Sequence, residues 1–351
     1  MGGVFKGGHR SMGKPVSRYS LVSCTIILLL LLACSTAWPA ADDELLEGAK
    51  NEGKLSIYHS PNVSSYADII KKFKEKYPFI VVESLQASAS RLLIRVLAED
   101  KAKKYIPDII DTRGFGINVM KEKGLLMKYA SLNFRFISPE FIDPEGYYWA
   151  NCVAVQSVAY NTRVVLPNDA PKSLEDLLNP RWKGKLFLDD IDYEWYANML
   201  SIMGREKGLD FMKRLSKQNI QFRFGKLLLA NLVAAGEVPV FLTASGHTME
   251  QLREKGAPVK WVPIDPLIGQ IGAMGIASHA AHPNASKLFV NFLSSKEGQE
   301  LISNSFGKNP TRPDAKHRYP NLDVKGRKLF VSSVTIDYSK YDREFRTMFN
   351  R

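Results

Sequence analysis

Residues 54–77 read KLSIYHSPNVSSYADIIKKFKEKY and set a pattern that the rest of the chain repeats. Residues 55–58 are a short β-rich run that predicts a strand, and the polar residues 59–62 follow it as a loop. From Tyr66 to Tyr77 the apolar side chains recur at helical spacing, which predicts a helix capped by Ser64 or Ser65. The stretch is therefore one strand, loop and helix unit.

The same unit recurs along the chain. Further strands are predicted at residues 79–82, 108–110, 186–188 and 238–242, with helices that open at Ser88 or Ser90, after Arg113 and at 226–235. Such repetition is typical of an α/β fold with mixed, mostly parallel sheets and helices on both faces. Extended segments near Gln156 and Gln270 join two such blocks and predict two lobes. The predicted boundaries are residues 45–156 and 271–315 for lobe 1, and residues 157–270 and 316–351 for lobe 2.

Residues 1–37 have the pattern of an export signal. Four basic residues (Lys6, Arg10, Lys14 and Arg18) precede an apolar run at residues 22–33. A membrane-spanning helix needs about 20 apolar residues, so this run favours a signal over the alternative of a membrane anchor. Cys34 follows Leu31, Leu32 and Ala33 as in a lipidation motif, and cleavage after Ala37 is the alternative. We expect the protein in the periplasm or at the outer face of the cytoplasmic membrane, with the signal or lipid as its only membrane contact.

Composition excludes several function classes. The formal charge of +12 becomes +8 without the four basic signal residues. The remaining Lys and Arg are scattered with Glu and Asp along helices rather than clustered, which argues against nucleic-acid binding. Cys152 is the one cysteine after residue 37, so an internal disulfide or a cysteine-based metal cluster is not expected there. The sequence has no Gly-x-Ser-x-Gly elbow, phosphate loop or His-Glu-x-x-His motif, which argues against an enzyme.

Six motifs occur in the order and spacing of a known family. They are KLSIY at 54–58, AYNT at 159–162, NPRWKGK at 179–185, GEVP at 236–239, LFVNFLSSKEGQ at 288–299 and NPTRP at 309–313. Together they resemble the bacterial extracellular solute-binding proteins of the periplasmic-binding-protein type 2 class, which include the ferric-ion-binding proteins. The resemblance implies a two-lobed Venus-flytrap fold, a monomer without cofactor, and delivery of a small-molecule ligand to an ABC permease and its ATPase.

The ferric members of that family hold iron with a histidine, a glutamate and a tyrosine pair. The matching positions in this chain are Asn62, Arg113, Gly246 and His247, so none of the four iron ligands is kept. A ferric ion prefers anionic oxygen ligands, and Arg113 would instead place a permanent cation there. We therefore expect the fold and transport role to hold and the iron specificity to fail.

Ligands of open α/β sheets bind at the carboxyl ends of strands, beside the helices that follow. Arg113, the helix-start residues Ser88 and Ser90, and Lys226 suit an anionic group. Acidic and aromatic residues between Asp189 and Tyr196 suit an ammonium group or a sugar. The predicted ligand-binding residues are His59, Asn62, Ser88, Ser90, Arg113, Asp190, Asp192, Tyr193, Trp195, Lys226, Ser245 and His247.

Other interpretations stay open. Ser88 and Ser90 suit plain helix capping, and Arg113 suits a structural ion pair. His59 and His247 with Asp190 suit a divalent-metal site, which keeps a metal-ion transporter as an alternative function. A ligand sensor for a membrane receptor is a third possibility, because transport and sensing use the same closed surface.

Overall fold

The computed structural model describes residue 3 and residues 39–324, 326–333 and 339–351. Cys34 and, apart from Gly3, the predicted export signal at 1–37 lie outside the described residues. The chain divides into two units, residues 1–47 and residues 48–351, and the α/β fold belongs to the second. Nowhere in the described ranges does a helix have the length and apolar character needed to cross a membrane.

Strands and helices alternate through most of the chain. The helices are α1 Pro39–Glu52, α2 Val63–Lys76, α3 Ala89–Lys101, α4 Gly114–Glu122, α5 Tyr193–Met203, α6 Arg205–Ser216, α7 Lys226–Ala235, α8 Gly246–Glu254, α9 Pro283–Ser294, α10 Lys296–Phe306 and α11 Ser339–Met348. The strands are β1 Lys54–His59, β2 Val81–Gln86, β3 Ile109–Arg113, β4 Leu126–Met127, β5 Tyr148–Asn161, β6 Leu186–Asp189, β7 Gln221–Arg223, β8 Val240–Ser245, β9 Val259–Val262, β10 Leu267–Ala277, β11 Asn309–Pro310 and β12 Leu329–Val331.

The described strands form one mixed sheet whose main path is β2-β1-β3-β10-β5-β8-β6-β7. Strands β1, β2 and β3 run parallel and belong to the first lobe. Strands β6, β7 and β8 also run parallel to one another and belong to the second lobe. The long antiparallel strands β5 and β10 lie between the two sets and connect them. The fold is thus two-lobed, as the sequence predicts.

The pairing register places the cleft. The carboxyl end of β3, at Arg113, pairs with Gly272 of β10, which pairs in turn with Cys152 of β5. The carboxyl end of β8, at Ser245, pairs with Gln156 further along β5. At about 3.3 Å per residue, these two strand ends are separated by roughly 13 Å along β5. Because the two parallel sets approach from opposite directions, their carboxyl ends face each other across this gap.

Buried apolar side chains stabilise each lobe on both sheet faces. In the first lobe, Tyr58 and Ile110 pack with Leu92 of α3 and Ile117 of α4. In the second lobe, a core that includes Leu188, Tyr196, Phe211 and Phe222 also takes in Phe345 of α11. Burial of these residues excludes most of their surface from water, which is the main source of folding free energy.

Four local predictions change, one of which is the strand predicted at residues 238–242, observed as β8 at Val240–Ser245. The strand predicted at residues 79–82 is wrong in position, because β2 is Val81–Gln86 and its partly exposed side chains give little hydrophobic signal. Neither Ser64 nor Ser65 caps α2; the cap is Asn62, whose Oδ1 accepts from the Ser65 backbone N–H at 2.8 Å. The strand predicted at 108–110 is shifted to Ile109–Arg113. By contrast, α7 is confirmed at the predicted residues. The lobe boundaries stay predictions.

Candidate functional site

A cavity of about 740 Å³ lies between the two lobes. Its floor includes Gln270 and Ile271 of β10, which pair with Ala154 and Val153 of β5 in the gap between the facing strand ends. The first lobe and the second lobe each contribute one wall. The lining residues are Ser60, Gln86, Ser88, Ala89, Ser90, Leu93, Arg113, Gly114, Phe115, Gly116, Tyr193, Glu194, Gln270, Ile271, Ser332 and Ser333.

Arg113 carries the positive charge of the first-lobe wall. It is the last residue of β3 and the N-cap of α4, where its backbone is extended and its side chain makes no capping hydrogen bond. Among the described residues, its exposed guanidinium has neither a hydrogen-bond nor an ion-pair partner. A guanidinium presents five N–H donors in a planar fork that fits a carboxylate or a phosphate.

Two helix N-termini adjoin this guanidinium. The cavity is lined by Ser88 and Ser90 at the start of α3, and by Gly114 and Gly116 at the start of α4. The Ser88 hydroxyl accepts from the Arg91 backbone N–H at 3.4 Å, whereas the first turn of α4 lacks a side-chain cap. The first N–H groups of a helix have no partner within the helix and carry partial positive charge. This wall is therefore suited to an anion.

The opposite wall is acidic and aromatic. Tyr193 and Glu194 begin α5, and the Gln270 side-chain amide donates to Glu194 Oε2 at 2.8 Å. Burial, together with the negative charges of Asp342 and Glu194, raises the pKa of the Tyr193 hydroxyl, so this hydroxyl stays protonated near neutral pH. Ser332, which accepts from the Asn198 side-chain amide at 2.8 Å, completes the wall.

The cavity brings together four of the twelve predicted ligand-binding residues: Ser88, Ser90, Arg113 and Tyr193. Ligand contact by each of the twelve stays a prediction. The other eight lie outside the lining of this cavity. They are His59, Asn62, Asp190, Asp192, Trp195, Lys226, Ser245 and His247.

Among these eight residues, Asp190, Asp192 and Lys226 form ion pairs within the fold. Asp192 is buried and forms an ion pair with Lys226 at 2.7 Å. It also accepts from the Asp189 backbone N–H at 2.9 Å and from the Thr243 hydroxyl. Asp190 accepts from the Arg351 guanidinium, with Nε at 3.0 Å. These contacts hold the loop after β6 in place.

His59 is buried and His247 is half-buried. His59 donates from Nδ1 to the Pro61 carbonyl at 3.0 Å, and its ring stacks on Tyr66 with centroids 3.9 Å apart. Burial lowers the pKa of His59, and it lowers the pKa of His247 to about 3, where nearby Lys308 also contributes. Both imidazoles are therefore neutral near pH 7. In the described part of the chain, no group of three or more His, Cys, Asp or Glu side chains could hold a metal ion.

The remaining residues are structural in position. Asn62 caps α2, and Trp195 lies in the second-lobe core. Ser245 ends β8 and precedes α8 without making a capping hydrogen bond. At Gly246, which the sequence comparison predicts to match a tyrosine of the ferric proteins, a Cβ atom would approach Leu322 Cδ2 to 2.7 Å. A larger side chain here would require the Leu322 side chain to move.

Sequence reasoning left several lining residues out of the predicted site. Glu194 and Gln270 belong to segments that it identified, but nothing distinguished them from their neighbours. Gln86 ends β2, a strand that was placed too early in the chain. Ser332 and Ser333 follow β12, which pairs parallel with β10. No sequence signal connects that late segment with the cleft.

A family model for bacterial extracellular solute-binding proteins matches residues 104–327. Iron-bound HitA from Pseudomonas aeruginosa is similar in structure, with a TM-score of 0.70 and 21% identity over 84% of this chain and 99% of that chain. AfuA from Actinobacillus pleuropneumoniae, with exogenous fructose-6-phosphate bound, gives a TM-score of 0.66 and 26% identity over 85% of this chain and 97% of that chain.

A sequence relative extends the comparison. An uncharacterised protein of Haemophilus influenzae is 26% identical over 289 residues, which cover 77% of this chain and 81% of that protein. The family match covers more than half of the chain, and the two-lobed sheet and interlobe cavity agree with it. The chain therefore belongs to the bacterial extracellular solute-binding proteins.

Proposed function

We propose that this protein captures a small anionic or zwitterionic solute in its interlobe cavity and delivers the solute to an ABC permease and its ATPase. The observation that carries the proposal is the guanidinium of Arg113, unpaired among the described residues, in the cavity wall. The family is one of transport proteins, and we assign no catalytic step to the site.

The charge of the first-lobe wall supports an anionic solute. Arg113 and the uncapped first turn of α4 place several N–H donors on one side of the cavity. Oriented donors of this kind bind a carboxylate or phosphate without rearrangement, and charged hydrogen bonds contribute about 1.5–3 kcal/mol each. A micromolar affinity needs about 8 kcal/mol in total, which three or four such contacts reach near the upper end of that range. Aromatic contact and exclusion of water on closure would then offset the cost of ordering.

Closure of the lobes is the proposed mechanism. Strands β5 and β10 connect the two halves of the sheet, and bending across them would bring the second-lobe wall onto a solute held by Arg113. Closure excludes water, and lower local polarity strengthens each charged contact. The closed form would then present one continuous surface to the permease.

Two comparisons are consistent with this assignment. AfuA binds fructose-6-phosphate, a solute whose anionic group is a phosphate, and a cationic cavity wall in this chain suits the same chemistry. Membership of an extracellular family implies an exported protein, and we propose the periplasm or the outer membrane-facing side of the cytoplasmic membrane as its location. We also propose that it acts as a monomer.

Titration calorimetry with matched solutes tests the proposal. Glucose 6-phosphate is compared with glucose, glycerol 3-phosphate with glycerol, and spermidine serves as a purely cationic probe. We expect measurable binding only for anionic members, and a loss of at least tenfold in Arg113→Met. Arg91→Met is the control, because Arg91 lies on α3 outside the cavity lining.

Two results would contradict the proposal. One is binding of spermidine alone, which would require an acidic rather than a basic recognition site. The other is near-stoichiometric iron, zinc or manganese in the dialysed protein, which would favour metal transport.

A further inference from the structure

We propose that Glu194 recognises a positively charged amine on the ligand, so that the cargo is a zwitterion held by opposite charges on the two cavity walls. This inference rests on the proposed function and adds the second recognition group. The observation behind it is that both Arg113 and Glu194 line the cavity without an ion-pair partner among the described residues.

The two aspartates close to Glu194 each have an ion-pair partner, unlike Glu194 itself. Asp192, two residues earlier, is paired with Lys226, and Asp190 is paired with Arg351. Among the carboxylates at residues 189–194, that of Glu194 lines the cavity, where its Oε2 accepts from the neutral side-chain amide of Gln270. The other carboxylate oxygen, Oε1, makes no hydrogen bond with a described residue.

The arrangement favours a zwitterion over a purely anionic ligand, which should bind more weakly. When the lobes close, the Glu194 carboxylate loses solvent, and a buried carboxylate without a cation is costly. A ligand ammonium would compensate this charge directly, whereas a second anionic or apolar group would leave it unbalanced. Tyr193 next to it offers an aromatic face, which also attracts cations.

The arrangement also selects against a purely cationic ligand. Such a ligand would satisfy Glu194 but leave the Arg113 guanidinium buried and unpaired on the opposite wall.

Gln270 strengthens the case for a defined geometry. It belongs to β10 at the centre of the floor, and its hydrogen bond holds the Glu194 side chain toward the cavity.

Phosphoethanolamine and ethyl phosphate form a matched pair of probes, because they differ only in the ammonium group. Titration calorimetry on the wild-type protein should show phosphoethanolamine binding about 10- to 100-fold more tightly, the range expected for one charged hydrogen bond. Glu194→Gln keeps the size of the side chain and removes its charge. In this variant the two probes should bind with affinities within about threefold of each other.

Glu140→Gln serves as the control, because Glu140 is an exposed carboxylate outside the cavity lining. Circular dichroism and urea unfolding confirm that each variant is folded. Equal binding of the two probes to the wild type, with binding still lost in Arg113→Met, would overturn the zwitterion proposal and leave the proposed function standing. No binding of either probe would overturn both proposals.

Discussion

Asp192→Asn should lower the free energy of unfolding by about 2–3 kcal/mol and leave solute affinity nearly unchanged. Asp192 Oδ2 accepts from the Asp189 backbone N–H and the Thr243 hydroxyl, while Oδ1 faces the Lys226 ammonium at 2.7 Å. An asparagine that keeps its carbonyl oxygen on the two hydrogen-bond donors must turn its NH₂ group toward Lys226. The substitution therefore removes the ion pair and sets two donors against each other.

The magnitude follows from burial. The Asp192 side chain is 3% exposed and that of Lys226 is 27% exposed. Breaking a fully buried pair costs about 3–5 kcal/mol, and the partial exposure of Lys226 brings the expected cost to the lower end or just below. Asp190→Asn is the matched control in the same loop. Its pair with Arg351 is more exposed, with side chains 24% and 38% accessible, so its loss should cost less than about 1 kcal/mol.

Urea unfolding followed by tryptophan fluorescence measures both variants, and calorimetry with glucose 6-phosphate measures affinity. If Asp192→Asn unfolds like Asp190→Asn but binds the probe much more weakly, the reasoning is refuted. Asp192 would then contact solute, as the sequence pattern predicted.

Three further predictions concern buried or capping groups and use urea unfolding. Burial raises the pKa of Asp111 to about 6, so its ionisation destabilises the fold as pH rises from about 4 to 6. The free energy of unfolding of Asp111→Asn relative to the wild type should therefore be about 2–3 kcal/mol greater at pH 7.5 than at pH 4, and a pH-independent difference would contradict this. Burial lowers the pKa of His247 to about 3, so the neutral imidazole contributes fully to the free energy of unfolding above pH 6.5 and this contribution is lost as pH falls toward 3. The stability of His247→Phe relative to the wild type should therefore be about 2 kcal/mol greater at pH 5 than at pH 8, and an equal difference at both pH values would contradict this. Glu52 accepts from the backbone N–H groups of Asn284 and Ala285 at 3.0 and 2.7 Å, so Glu52→Ala should lower the free energy of unfolding by about 1–2 kcal/mol. Glu75→Ala removes an exposed carboxylate and should have a smaller effect; equal losses in the two variants would exclude the capping role.

The sequence predicts a helix well where strong helix formers are followed by a clear stop signal. Helix α7 occupies the predicted residues because Lys226–Ala235 is rich in Leu and Ala and Gly236 follows with a left-handed backbone. Strand β2 was misplaced because Glu83, Ser84 and Gln86 give no apolar signal. Its position depends on backbone pairing with β1, which no local pattern encodes.

The sequence predicts site residues only where their position follows directly from the order of strands and helices. Arg113 follows directly from the rule that ligands bind at strand carboxyl ends, and it lines the cavity. The same rule proposed Asp192 and Lys226, which have each other as partners. The sequence shows that charges follow a strand, but the pairing of Asp192 with Lys226 across 33 intervening positions depends on how the loop after β6 meets α7. Ser332 lines the cavity although it comes from a distant segment, and its place in the site likewise depends on the tertiary fold.

The most direct test of the central claim is an anomalous difference map from crystals soaked in selenate, a tetrahedral dianion. The account predicts a selenium peak in the interlobe cavity, with selenate oxygens within hydrogen-bonding distance of the Arg113 guanidinium and the first N–H groups of α4. A cavity that is open to solvent in the crystal but holds no peak beside Arg113 would contradict it, as would a guanidinium that points away from the bound anion.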